Sequence, residues 1–179
     1  SHLHFVLFGG SVFAIYAGIY HWWPKITGRM LDETLGRWHF ALTFPSFFLT
    51  FFPMHMLGLL GMPRRVAVYA PEFQALNVVV SIASFVLGIS TFVLLYNMAW
   101  SFSRGRRASA NPWRALTLEW ATSSPPPATN FYGDPVPYSD PYGYGTKEAY
   151  LYLEAQEKKY GAPEPLPERS LAPQPGAGD

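Results

Sequence analysis

Three long stretches without a formally charged side chain limit what this sequence can fold into. Residues 1–24, 38–63 and 73–103 contain no Asp, Glu, Lys or Arg. A helix that crosses the ~30 Å hydrocarbon core of a bilayer needs about 20 residues, because each residue adds ~1.5 Å. Each stretch is long enough, and backbone groups inside a bilayer must pair within their own segment. The sequence therefore predicts an all-α polytopic membrane protein with three transmembrane helices.

The rest of the chain has a different composition, since twelve of the 17 prolines follow residue 101. We predict a transmembrane domain over residues 1–107 and a C-terminal tail over residues 108–179. The predicted spans cover about 2–23, 38–62 and 73–102. Within the tail, residues 123–145 are too rich in Pro, Gly and Tyr to form a core of their own. Residues 146–160 are typical of a short amphipathic helix, with Thr146 as a possible cap.

Basic residues near the span ends predict the orientation. The first loop and the segment after the third span lie on one side, which carries seven basic residues: Lys25, Arg29, Arg37, Arg104, Arg106, Arg107 and Arg114. The opposite loop carries only Arg64 and Arg65. By the positive-inside rule the tail is cytoplasmic, and His2 and His4 lie towards the outer face. A net charge of +1 gives no basic excess for nucleic acid, and the absence of cysteine excludes disulfides and thiolate metal sites.

The pair His2-Leu3-His4 is the most informative polar feature. Residues two apart on a helix are rotated by ~200°, so the two imidazoles point to opposite faces. They cannot easily clamp one ion, which would need a spacing of four residues. They could serve two separate cofactors, one on each side of the helix. The alternative is that each is an ordinary interfacial histidine.

Three other residues are candidates for function. Arg64 and Arg65 could bind a carboxylate or a phosphate, such as a lipid headgroup or a haem propionate, or could simply solvate a helix end. His55 lies late in the second span, where ionisable residues are functional candidates. A neutral His55 that bonds a carbonyl freed by Pro53 would explain it equally well. The chain begins with Ser1 inside an apolar run, and we expect it to be the C-terminal part of a longer protein.

Several motifs occur in a fixed order. They are HLHFVL at residues 2–7, GRWHF at 36–40, TFFPMH at 50–55 and GMPRR at 61–65, followed in the tail by NPW, TLEW, SPPP and NF up to residue 131. In this order they resemble the last three membrane helices of subunit I of the haem–copper oxygen reductases. The bacterial aa3- and caa3-type cytochrome c oxidases are the most similar branch.

The resemblance implies a role for each matching residue. His2 corresponds to the proximal axial ligand of the high-spin haem, at the catalytic site, and His4 to an axial ligand of the low-spin haem. Arg64 and Arg65 correspond to the arginines that bind haem propionates. Leu3 stands where the family usually has an aromatic residue, which puts in doubt any contribution of an aromatic ring to electron transfer between the haems.

The resemblance also implies an activity and partners. Family members reduce O2 to water with electrons from cytochrome c and pump protons across the bacterial plasma membrane. They carry two haems, here expected to be of the a and a3 type, and a copper ion, CuB, whose ligands are not on this chain. The implied partners are the N-terminal part of the same subunit, subunit II with its CuA centre, subunit III, cytochrome c and membrane lipids.

Two alternatives remain open at this point. A quinol oxidase of the same family shares these helices but takes electrons from quinol. A cofactor-free membrane scaffold would instead use the Pro/Tyr-rich tail to dock partners. The scaffold predicts that spectra do not change when His2 and His4 are replaced, whereas the oxidase predicts loss of both haems.

Overall fold

The structure is a computed structural model and describes residues 1–136, 138, 140 and 142–161. These residues form helices joined by turns and irregular segments, and none of them forms a β-strand. Three helical segments are long and apolar enough to cross a membrane: His2–Thr27, Glu33–Leu59 and Pro71–Arg104. The prediction of an all-α polytopic membrane protein with three spans is confirmed.

The first membrane segment contains a wide turn that the sequence did not predict. It consists of α1 (His2–Leu7), a π-helical turn over Phe8–Val12, and α2 (Phe13–Thr27). Such turns accommodate an additional residue and often occur in functional helices. Gly9 and Gly10 lie in it. A Cβ atom on Gly9 would meet only a Phe47 ring carbon at 3.8 Å, and one on Gly10 would meet nothing within 4 Å.

The second and third segments are single long helices. Helix α3 (Glu33–Leu59) begins before residue 38, because Asp32 caps it by accepting a hydrogen bond from the Leu35 amide at 2.8 Å. Pro45 and Pro53 both lie inside α3, which continues through them. Helix α4 (Gln74–Arg104) follows a 3-10 turn over Pro71–Phe73.

The first segment and α3 pack antiparallel. Near the start of the first segment, the rings of Phe5 and Phe8 lie 4.9 and 5.2 Å from the ring of Phe47. Near its end, the Tyr20 hydroxyl lies 3.2 Å from Nδ1 of His39. Early residues of one helix therefore face late residues of the other, which puts the start of α1 and the end of α3 on the same side.

Polar side chains connect α3 with α4. Buried Thr43 donates to Oγ of Ser90 at 2.9 Å. Asn97, which is fully buried, accepts from the Asp32 amide and donates to the Asp32 carbonyl, both at 2.9 Å. Hydrogen bonds of this kind hold membrane helices together, because lipid tails supply no competing partner.

Two compact units make up the chain. One contains Ser1–Trp23 and Arg29–Arg106, and the other contains Pro24–Gly28 with the described residues that follow Arg106. In the second unit, α5 (Lys147–Tyr160) is capped by Thr146, whose hydroxyl accepts from the Ala149 amide at 3.2 Å. Its small apolar core consists of Leu116, Ala149 and Leu153, against which Tyr138 and Tyr152 pack. The residues from 162 onward lie outside the described part.

Candidate functional site

Helix α1 presents both of its histidines at its surface. Phe5 and Phe8 face α3, whereas His2 and His4 are exposed. His2 has no hydrogen-bond partner among the described residues. The ~200° between the two positions directs the imidazoles to different sides of α1. Each histidine is therefore available as a single ligand to a group that lies beside the helix.

The ring of His4 has a defined orientation. It stacks on the ring of Phe51 with centroids 4.6 Å apart and an interplanar angle of 15°. A stacked contact uses the face of an imidazole, while its nitrogen lone pairs lie in the ring plane. Phe51 therefore restrains the plane of His4 and leaves the ring nitrogens accessible to a ligand.

His55 lies beside the same aromatic cluster. Its ring centroid is 5.5 Å from that of Phe5 and 6.2 Å from that of Phe52. Its Nδ1 atom is buried and has no hydrogen-bond partner among the described residues. The hydrogen bond to a carbonyl freed by Pro53, one of the two explanations considered above, is thus not formed within the part of the chain that the structure describes.

Arg64 and Arg65 follow the end of α3 in an exposed loop. The helix ends in a Schellman motif: Met62 N donates to the Leu57 carbonyl at 3.0 Å, and Gly61 N donates to the Gly58 carbonyl at 3.1 Å. Gly61 has φ +93°, a conformation that glycine adopts without strain. This motif stops the helix and turns the chain just before the two arginines.

The backbone of the arginine loop is unusual at one position. Arg65 has φ +61°, which is uncommon for a residue with a side chain. Neither Arg64 nor Arg65 forms an ion pair with a carboxylate of the described residues. Two adjacent guanidinium groups without internal partners can bind an external anion such as a carboxylate or phosphate.

The donor set suits haem better than a bare metal ion. Within the described residues, no group of three or more His, Asp or Glu side chains could hold an ion. A bare ion would need several such ligands, whereas haem iron takes only one or two axial ligands from the protein. Single accessible imidazoles on α1, with unpaired guanidinium groups on the same side of the bundle, fit porphyrins that carry propionates.

Sequence reasoning missed a set of buried polar residues between the helices. On α3, Thr43, Ser46 and Thr50 are each 1–3% exposed, and on α4, Ser90 and Asn97 are fully buried. Their spacing of three, four or seven residues places each set on one face of its helix. This periodicity in otherwise apolar runs is visible in the sequence and could have revealed them.

His39 belongs with these residues. It is 3% exposed, and its Nε2 atom has no partner among the described residues. With Tyr16, Tyr20 and Arg37 it lines a cavity of about 440 Å³. His39 is therefore hydrogen-bonded to Tyr20 through Nδ1. Its Nε2 atom can still bind a further group.

Comparisons with known proteins identify relatives of this chain. Residues 1–86 match the family model described as "Cytochrome C and Quinol oxidase polypeptide I". The chain is 56% identical over 145 residues to cytochrome c oxidase subunit 1 of Synechocystis sp., a match that covers 81% of this chain and 26% of the relative. The corresponding protein of Thermostichus vulcanus is also 56% identical over the same shares. Cytochrome c oxidase subunit 1 of Bacillus subtilis is 43% identical over 134 residues, or 73% of this chain and 22% of the relative.

The chain spans about a quarter of the length of the curated relatives that it matches. The family model and these relatives agree on one family, and the matched residues include all of α1, α2 and α3. The predicted relationship is confirmed: residues 1–86 match the haem–copper oxidase subunit I family, and the relatives cover part of the chain.

Proposed function

We propose that this chain is the part of a terminal respiratory oxidase that supplies one axial ligand to each of two haems. His2 would hold the iron of the high-spin haem, and His4 the iron of the low-spin haem. The observation that carries this proposal is the placement of two exposed imidazoles on different sides of one helix. One helix can then lie between two porphyrins and bind both.

Phe51 and the two arginines would each influence the bound haems in a different way. Phe51 restrains the plane of His4, and the orientation of an axial imidazole is one of the protein's controls over haem iron. Arg64 and Arg65 would pair with propionates and bring positive charge close to the porphyrins. Bound haem would supply O2 binding and one-electron transfer.

The complete enzyme would reduce O2 to water and pump protons. Its CuB ion, the second ligand of the low-spin haem and subunits II and III lie outside this chain. Electrons would come from cytochrome c through CuA on subunit II, which the names of the relatives favour. Quinol is the alternative donor, because the description of the family model includes both types of oxidase. We place the protein in the bacterial plasma membrane, surrounded by lipid and with its tail in the cytoplasm.

Optical spectroscopy on the complete subunit tests this assignment. We would purify the complex that contains His2→Ala, His4→Ala or His21→Ala and record reduced-minus-oxidised and carbon monoxide difference spectra. His2→Ala should remove the carbon monoxide-binding haem, and His4→Ala should remove the low-spin haem. His21 lies near the other end of the same segment and serves as the matched control. Unchanged spectra in all three variants would favour the cofactor-free scaffold instead.

A further inference from the structure

Lys25 lies near the end of α2, yet its side chain is buried within the second unit, with only 8% of the residue exposed. Its Nζ atom donates to the carbonyl oxygens of Thr122 at 2.8 Å, Ala110 at 2.9 Å and Ser123 at 3.3 Å. An ammonium group has three N–H donors and no acceptor. All three donors of Lys25 are therefore matched by main-chain carbonyl groups of the tail.

An aromatic ring completes the surroundings of this cation. Nζ of Lys25 lies 4.9 Å from the centroid of the Trp120 ring. Trp120 ends a 3-10 turn over Leu118–Trp120 and is fully buried. A cation above an indole face is stabilised more strongly when both are removed from water. Burying an ammonium group without partners is costly. The three carbonyl oxygens and the Trp120 ring together therefore stabilise the buried charge of Lys25.

The same part of the tail also contacts the main chain just after Lys25. The amide of Ala108 donates to the carbonyl of Gly28 at 2.9 Å. Gly28 has φ +70°, and a Cβ atom at that position would lie 2.8 Å from Cδ of Pro125. Ser124 Oγ donates to the Ala110 carbonyl, which is also an acceptor of Lys25, at 3.1 Å. The tail thus contacts residues 25–28 through the side chain of Lys25 and through the main chain of Gly28.

The carbonyl groups that bind Lys25 come from separate parts of the tail. Ala110 precedes the 3-10 turn, and Thr122 and Ser123 follow it. The small apolar core of this unit involves Leu116 and α5 instead. The Lys25 ammonium group joins these two parts of the tail by binding both, and the hydrogen bond from Ser124 to the Ala110 carbonyl joins the same two parts directly.

We propose that Lys25 is the anchoring cation on which residues 108–125 of the tail fold. The first part of the tail is organised by a side chain of the first membrane segment and not by an apolar core alone. This role is independent of haem ligation. Arginine should replace Lys25 poorly, since its planar guanidinium cannot direct donors to three oxygens in the way an ammonium does.

The first test measures the accessibility of Lys25 in the unmodified, complete oxidase. The purified complex is treated briefly with an amine-acylating reagent, and labelled lysines are quantified by mass spectrometry. Lys147 and Lys158 are exposed on α5 and provide the reference. Lys25 should react at least roughly tenfold more slowly than these, as expected of a group that reacts only after local opening. Equal rates for Lys25 and Lys158 would overturn the proposal.

The second test distinguishes anchoring from simple burial. Hydrogen exchange of the amides in residues 108–125 is compared between Lys25→Met, Lys25→Arg and the control Lys158→Met, each in the complete oxidase. Lys25→Met should raise exchange in this segment by roughly tenfold or more and leave α4 unchanged, with Lys25→Arg in between. Unchanged exchange in Lys25→Met contradicts the proposal.

A third variant covers the case in which Lys25→Met does not assemble. Trp120→Leu keeps the ammonium and its three acceptors but removes the aromatic face. It should increase both the acylation of Lys25 and the exchange of residues 108–125. If Trp120→Leu changes neither, the cation is not held as proposed.

Discussion

The imidazole of His4 stacks on the ring of Phe51 with an interplanar angle of 15°. His4 belongs to the first membrane segment and Phe51 to α3, so the packing of two helices sets the plane of a candidate haem ligand. The contact extends to Phe8, whose ring lies 6.2 Å from that of Phe51. Phenylalanine side chains that pack the two helices together thereby also orient the proposed ligand.

Replacing Phe51 tests this coupling. In the complete subunit, Phe51→Ala should broaden or shift the electron paramagnetic resonance signal of the ferric low-spin haem, because the imidazole plane is no longer restrained. An aromatic pair of this kind contributes about 0.5–1.5 kcal/mol beyond its burial. Phe52→Ala is the matched control, since Phe52 is 54% exposed on the same helix. Identical signals in Phe51→Ala and the unmodified enzyme would contradict the coupling.

Removing the charge of Arg64 or Arg65 should lower a haem reduction potential. A nearby cation stabilises the reduced haem, which carries less positive charge, so its loss favours the oxidised form. A charge-assisted hydrogen bond of about 1.5–3 kcal/mol corresponds to roughly 60–130 mV for a one-electron couple. Spectroelectrochemical titration of Arg64→Leu and Arg65→Leu measures this shift. Arg37→Leu is the control, because Arg37 forms an exposed ion pair with Glu33 at 3.3 Å. An equal shift of the potential in Arg37→Leu would contradict a specific effect of Arg64 and Arg65 on the haem.

Asn97 should be important for the stability of the helix bundle. Asn97→Ala removes two hydrogen bonds and leaves the Asp32 amide and carbonyl without these partners. The expected loss is about 1–3 kcal/mol of unfolding free energy. Denaturation of the purified oxidase in a graded detergent series measures it. Ser103→Ala, on the exposed side of α4, should have little effect; an equally small effect of Asn97→Ala would show that the bonds contribute little.

The tail unit should lose stability at high pH. Burial raises the pKa of Tyr152 above its usual value of 10.0, although the hydrogen bond from Gln156 acts in the opposite direction. The neutral phenol is thus favoured in the folded unit. The contribution of the neutral Tyr152 phenol to the stability of the folded unit is fully present below pH 10. It is lost as the pH rises through the raised pKa. The measurement is the tyrosinate absorbance during a pH titration of the complete oxidase. Tyr152→Phe should remove a component that titrates at high pH. Tyr150→Phe is the control and should keep this component, because Tyr150 is 55% exposed. Titration of Tyr152 at the ordinary value would contradict this expectation.

The membrane helices could be predicted because their signal is local. A run without charges is a property of consecutive residues, and the bilayer permits few structures for such a run. The same is true of the opposite directions of His2 and His4, which follow from the rotation per residue of a helix. The haem roles came from the resemblance, and they stay a prediction until spectra are recorded.

Other features depend on contacts that are distant in sequence. Lys25 counted only as one of the basic residues that predict orientation, because its acceptor at Ala110 is 85 residues away. The restraint of His4 by Phe51 arises from helix packing and has no sequence motif. The buried polar residues of α3 and α4 are an intermediate case, since their periodicity is visible but their partners are not.

The π-helical turn over Phe8–Val12 has a consequence for how this protein can change over evolution. A one-residue insertion or deletion in a regular helix rotates everything beyond it by ~100°. A wide turn already holds one residue more than an α-turn needs, so removing Gly10 could convert it to regular helix at little steric cost. His2 and His4 would then keep nearly the same angular position relative to Tyr16 and Tyr20, because the turn had already absorbed the additional residue. This segment can therefore lose one residue at the turn without the rotation that a deletion elsewhere in the helix would cause.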